Sequence, residues 1–232
     1  MDINTRGFNS WLLIVCPIGM MLMFAILDPL IIGGVGESYL LGEEITIKDR
    51  ALADLELFND KKVTGYLINI LGILFMVGTI SGLALLGKAL KGTGIALGTL
   101  SSLIFTAVLS IPFISMGLSL AANEFFAGEV PLYGSIDTAN ASIDIAVSLE
   151  LISEAVFLGV PMFWGIGYTL LGLGMILEKG PLPTVLAWLL FLGGLGMIPG
   201  AFIGSAGFLI FTVLVLVVVV SGVFLLRRSD GY

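Results

Sequence analysis

Residues 11–32 read WLLIVCPIGMMLMFAILDPLII, with Asp28 as the only charge. An α-helix rises about 1.5 Å per residue and the hydrocarbon core of a bilayer is about 30 Å thick, so roughly 20 consecutive apolar residues cross it. Lipid offers the backbone no water to bond, and a helix satisfies its N–H and C=O groups internally. The run therefore predicts a transmembrane helix. It is too long for the apolar segment of a secretory signal and carries no A-x-A-like cleavage site, so it is expected to be retained.

Working outward, further apolar runs cover residues 64–86, 93–118, 147–177, 183–201 and 205–226, the fifth being marginal in length. They predict an all-α integral membrane bundle of about six transmembrane helices, one polytopic domain over residues 1–232, with outer loops at 36–63 and 119–145. Composition agrees, since 58% of residues are hydrophobic and 12% charged, against about 45–50% and 25% in soluble domains. The chain has no histidine, which removes the commonest metal ligand and the usual acid–base residue near neutral pH. Cys16 stands alone, so no intrachain disulfide forms. A net charge of −7 argues against a nucleic-acid surface, which needs clustered Lys and Arg. No cofactor or metal site is expected, and the reading leans away from an enzyme. The expected partner is the lipid bilayer of the cell membrane, with a membrane protein partner or a homo-oligomer as further possibilities.

Orientation follows from Lys and Arg, which are retained in short cytoplasmic loops. Arg6, Lys88, Lys91, Lys179, Arg227 and Arg228 fall on one side of a six-span chain, placing both termini inside. Lys48, Arg50, Lys61 and Lys62 fall on the other, and Lys61 and Lys62 run against the rule.

The first outer segment is not shapeless. Thr46 and Asp49 have capping-box spacing, and Ala51, Leu52, Leu55 and Phe58 recur at three and four residues, which predicts a short amphipathic helix on the membrane surface or over the bundle. The second outer segment mixes Gly, Pro and Ser with acids and reads as a loop whose Phe125–Phe126 pair touches the membrane. It also holds Asn140-Ala141-Ser142, a glycosylation sequon.

Carboxylates inside a span are costly and are functional candidates by default. Glu150 and Glu154 lie one helical turn apart on one face, and Asp28 precedes Pro29 near the outer end of the first helix. Together Asp28, Glu150 and Glu154 form a candidate ligand- or ion-binding set whose guests would be cations or amines; the plainer reading is three acids solvated among headgroups. Gly196, Gly200 and Gly204 repeat every fourth residue, a spacing that lets helices pack closely. Asn69, Ser81, Thr106, Ser110 and Ser115 need partners inside the bundle, and Pro112 is placed to kink the third helix.

From Phe163 the string FWGIGYTLLGLGMILEKGPLPTVLAWLLFLGGLGMIPG resembles the fourth-to-fifth helix hairpin of the membrane family catalogued as domain of unknown function 4386. The likeness rests on Gly165, Gly172, the turn with Gly180, Leu182 and Pro183, then Leu186, Leu190 and Gly194. It implies a six-helix fold and no known reaction, and the basic and histidine residues of many members around the third and fourth helices are missing here. The function expected on these grounds is binding or moving a small molecule, lipid or cation through the bundle, with an accessory or scaffold subunit as the alternative.

Overall fold

Prolines account for two interruptions in the long apolar runs. The computed structural model describes residues 3–32, 46–128, 138–178, 181–200 and 202–227. Helix α1, Ile3–Met21, continues as a wider π-helical stretch over Leu22–Ile32. Then come α2 (Ile47–Asp60), α3 (Lys62–Lys88), a single 3-10 turn (Gly92–Gly94), α4 (Ile95–Val108), α5 (Ser110–Phe126), α6 (Thr138–Leu158), α7 (Val160–Glu178), α8 (Thr184–Gly200) and α9 (Gly204–Arg227). Among the described residues every regular element is a helix.

The third run breaks after Val108 because Pro112, four residues on, has no N–H to return to the Val108 carbonyl. Close by, Ser110 Oγ donates to the Ala107 carbonyl at 2.7 Å. Pro161 stands in the same relation to Phe157, and the run at 147–177, expected as one span, is divided between α6 and α7. Pro17 lies inside α1 without interrupting it.

Among the described residues four helical stretches are long and apolar enough to cross a membrane: Thr5–Ile32, Lys62–Lys88, Gly92–Phe126 and Gly207–Arg227. Thr184–Gly200 is apolar but only 17 residues long, about 25 Å against a core of about 30 Å. The chain is an all-α membrane bundle.

It divides into two compact units. The first comprises Met1–Met20, Ile73–Ile111 and Leu158–Tyr232. Within it α7 packs against α4 and α8, and α8 against α9. The α7–α8 approach is backbone to backbone: a Cβ on Gly165 would stand 2.8 Å from the Gly194 carbonyl oxygen, and one on Gly172 would stand 2.7 Å from that of Ala187. Gly196, singled out by its spacing, meets only the tip of Ile210, at an ordinary 3.4 Å, while Gly200 lies 3.1 Å from the Gly207 Cα by the same measure. The surroundings of Gly204 lie outside the described residues.

Two buried serines tie this unit together. Ser101 Oγ donates to the Gly167 carbonyl at 2.8 Å, and Ser102 Oγ lies 2.7 Å from that of Ala84. At one loop the Lys91 N–H lies 2.6 Å from each Glu178 carboxylate oxygen, and Gly92 turns the chain at φ +53°, a conformation that favours glycine.

The second unit comprises Met21–Gly72 and Pro112–Phe157. The amphipathic helix expected over its first segment forms as α2. Thr46 caps it, accepting from the Asp49 N–H at 3.1 Å while its hydroxyl donates to the Asp49 carboxylate at 2.5 Å. Ala51 and Leu55 are buried with Ala122, Ala146 and Val147. Phe125 and Phe126 are half-buried and pack in part against this cluster, because α5 and α6 run on into the segment read as a loop and carry the pair with them.

Candidate functional site

Ser115, Ser119 and Asn123 recur every fourth residue on α5 and so form one polar stripe. It faces α6. At one level Ser115 and Ser153 face each other: their hydroxyls lie 2.8 Å apart, and each also has the other's carbonyl within reach, at 3.1 and 2.9 Å, so the two protons are shared among these acceptors. One turn on, Ser119 Oγ donates to Glu150 Oε2 at 2.7 Å. Further along, Ser142 Oγ donates to the Phe125 carbonyl. Asn123 falls between these last two levels. It is 2% exposed; its Nδ2 donates to the Ser119 carbonyl at 2.8 Å, and its Oδ1 is buried without a partner among the described residues.

The expected acids lie around this seam. Glu150 and Glu154 sit one turn apart on α6, both half-buried. Glu154 Oε1 is 3.6 Å from Arg50 Nη2, and Arg50 Nε is 3.8 Å from Asp54 Oδ2, so α2 supplies a guanidinium shared by two carboxylates. Asp28, also half-buried, does not join Glu150 directly. Asp54 on α2 is a like-charged neighbour of both and opposes their ionisation rather than joining them.

The unit is strongly acidic: it holds fourteen of the 17 Asp and Glu residues but only four of the ten Lys and Arg. Each of those four is engaged. Lys48 Nζ bonds Asp144 at 2.7 Å. Arg50 serves Glu154 and Asp54. Lys62 Nζ reaches Glu124 at 3.1 Å, beside the Tyr66 hydroxyl, which donates to the same carboxylate at 3.0 Å. Lys61 donates to the Ile31 carbonyl, with that of Ile32 at 3.4 Å, and so places a positive charge against the C-terminal carbonyls of the first helix. Among the described residues no cation is paired with Asp28 or Glu150.

The sequence reading found Asp28, Glu150, Glu154 and Ser115 but not Arg50, Asp54, Ser119 or Asn123. Arg50 and Asp54 carried a signal, an opposite-charge pair at i,i+4 beside the apolar stripe of α2. Asn69, Thr106 and Ser110 bond carbonyls close by in sequence, so of the polar span residues expected to bond across helices, Ser115 is the one seen to do so.

Among the described residues no three His, Cys, Asp or Glu side chains converge as ligands to one metal ion. Compared with family models, curated proteins and solved structures, the chain matches none.

Proposed function

We propose that the chain is a polytopic membrane protein of the cell membrane that binds a cationic solute at the seam of α5 and α6, and moves it through the helices. The observation that carries this reading is the imbalance around Asp28 and Glu150. Both are half-buried acids in an apolar chain, and every basic side chain of their unit is engaged elsewhere. A carboxylate that gives up part of its hydration keeps its charge at a cost unless a cation or hydrogen-bond donors make up for it, and a cation from outside would complete the site.

The reading takes a six-span topology with both termini in the cytoplasm, for which the loop charges speak. Membership of the family catalogued as domain of unknown function 4386 belongs to it also; the α7–α8 contacts made by Gly165, Gly172 and Gly194 support the hairpin on which the likeness rests. The alternative, an accessory subunit, would set glycine-lined faces such as that of Gly196, Gly200 and Gly204 against a partner; Gly200 already meets Gly207 of α9 within the chain, whereas Gly196 is in ordinary contact with Ile210 alone.

The test is equilibrium binding of radiolabelled methylammonium, sodium and calcium to the full chain in reconstituted vesicles. Saturable binding of at least one, weakened in Glu150→Gln and Asp28→Asn and kept in Glu56→Gln, whose parent is exposed on α2, is the expected result. Binding by none of the three, or binding indifferent to Glu150→Gln, overturns it.

A further inference from the structure

Asn123 adds to the site something the acids alone do not. Its Oδ1 is an acceptor that has lost water and gained no donor among the described residues, a state that a folded protein holds only at a cost in stability. The amide cannot relieve this by itself, because its Nδ2 is held by the Ser119 carbonyl at 2.8 Å. The Ser119 hydroxyl in turn is held by Glu150 Oε2, which leaves Glu150 Oε1 with no bond among the described residues. Two acceptors without a donor among the described residues, one charged and one neutral, therefore belong to the same seam, Asn123 standing one turn along α5 from the serine that bonds Glu150.

Their chemistry narrows the guest. A metal ion would draw several oxygen ligands into one shell, and among the described residues no three carboxylates converge in that way. A quaternary ammonium has no N–H to give and is recognised by aromatic faces; the aromatic residues nearest in sequence, Phe125 and Phe126, are packed in part against the apolar cluster of α2, α5 and α6. A guanidinium prefers a carboxylate with both oxygens free, and Glu150 has one engaged. What remains is a compact cation with several N–H donors on one nitrogen. Such a group gives one bond to a carboxylate oxygen and another to a carboxamide oxygen.

We infer that the seam of α5 and α6 is a primary-ammonium site in which Glu150 Oε1 takes the charge and Asn123 Oδ1 takes a second N–H. The inference rests on the cation-binding reading and specifies its ligand. A free alkylamine and the headgroup of an aminophospholipid present the same ammonium chemistry.

The experiment uses the full chain in phosphatidylcholine nanodiscs, whose own headgroups carry no N–H, and measures binding of radiolabelled n-butylamine. Saturable binding is expected that competes with unlabelled ethylamine but not with tetramethylammonium, sodium or calcium. Asn123→Leu and Glu150→Gln each weaken it by about tenfold or more, as the loss of a bond to a charged group requires. Asn123→Ser, which keeps a polar group but shortens it, is the second variant should the leucine substitution fail to fold, and the same loss is expected of it. Repeating the measurement in discs containing phosphatidylethanolamine separates the sources: weaker butylamine binding there identifies the lipid headgroup as a guest, and unchanged binding identifies a free amine. Displacement by tetramethylammonium, or binding of sodium or calcium without butylamine, overturns the ammonium assignment and leaves the cation reading standing. Butylamine binding that ignores both Asn123 and Glu150 overturns the site, and absence of any cation binding overturns both readings.

Discussion

Replacing Gly172 by alanine adds one methyl group to the α7–α8 contact, and its effect turns on two opposed terms. Alanine is favoured over glycine within a helix by about 0.8–1 kcal/mol. Against this, the new Cβ would stand 2.7 Å from the Ala187 carbonyl oxygen and 2.8 Å from the Phe191 Cα. Both are backbone atoms of α8, so no side-chain rotation makes room and the helices themselves must separate. Overpacking of this kind costs about 1–3 kcal/mol, and opening the crossing also loosens its neighbours Gly165 and Gly194. We expect Gly172→Ala to be destabilised by up to about 2 kcal/mol net, the clash outweighing the gain in propensity. Gly117 is the internal control, because nothing lies within 4 Å of a Cβ there and only the propensity term applies. Gly117→Ala should be neutral or up to about 1 kcal/mol more stable, so the two variants should move in opposite directions. Reversible unfolding in mixed micelles against the SDS fraction measures both, and thermal midpoints in nanodiscs should separate by several degrees, at about 2–4 °C per kcal/mol for a chain of this size. If Gly172→Ala matches Gly117→Ala in sign and size, the backbone-to-backbone crossing is refuted.

Two further outcomes follow from named contacts. The Ser115–Ser153 exchange should appear in a double-mutant cycle to alanine as a coupling of roughly 0.5–1.5 kcal/mol, the range of interhelical hydrogen bonds in membranes; strictly additive single variants would dissolve the pair. The hydrogen bond and charge of Asp144 raise the pKa of the exposed Lys48 ammonium. A raised pKa means the stabilisation is complete below the ordinary lysine value of about 10.4 and is lost as pH climbs past the raised one, so Lys48→Gln should flatten the alkaline limb of the stability profile, and an unchanged limb would assign it to other groups.

The helices were legible because hydropathy is a local property: 64–86 lies within α3, and Thr46 with Asp49 announced α2. Pro112 gave away the break between α4 and α5, whereas Pro161 went unread because the run from 147 to 177 was long enough to pass as a single tilted span. The site was half visible. An acid in an apolar stretch stands out by itself, as Asp28 and Glu150 do, but Ser119 and Asn123 are ordinary polar residues until α6 is known to face them. Glycine spacing misled for a related reason. A four-residue repeat shows that close packing is permitted, and only the neighbouring helix decides whether Gly172 or Gly196 uses it.

Lys61 closes the first helix from the junction of α2 and α3, so a single ammonium group ties together two segments of the second unit. A lysine that bonds carbonyls near a helix end complements the negative pole of that helix. In the six-span orientation proposed above, the same charge stands on the side that the loop rule disfavours. On that reading one side chain works for the fold and against the topology, and Lys61→Gln would loosen the helix end while easing the orientation.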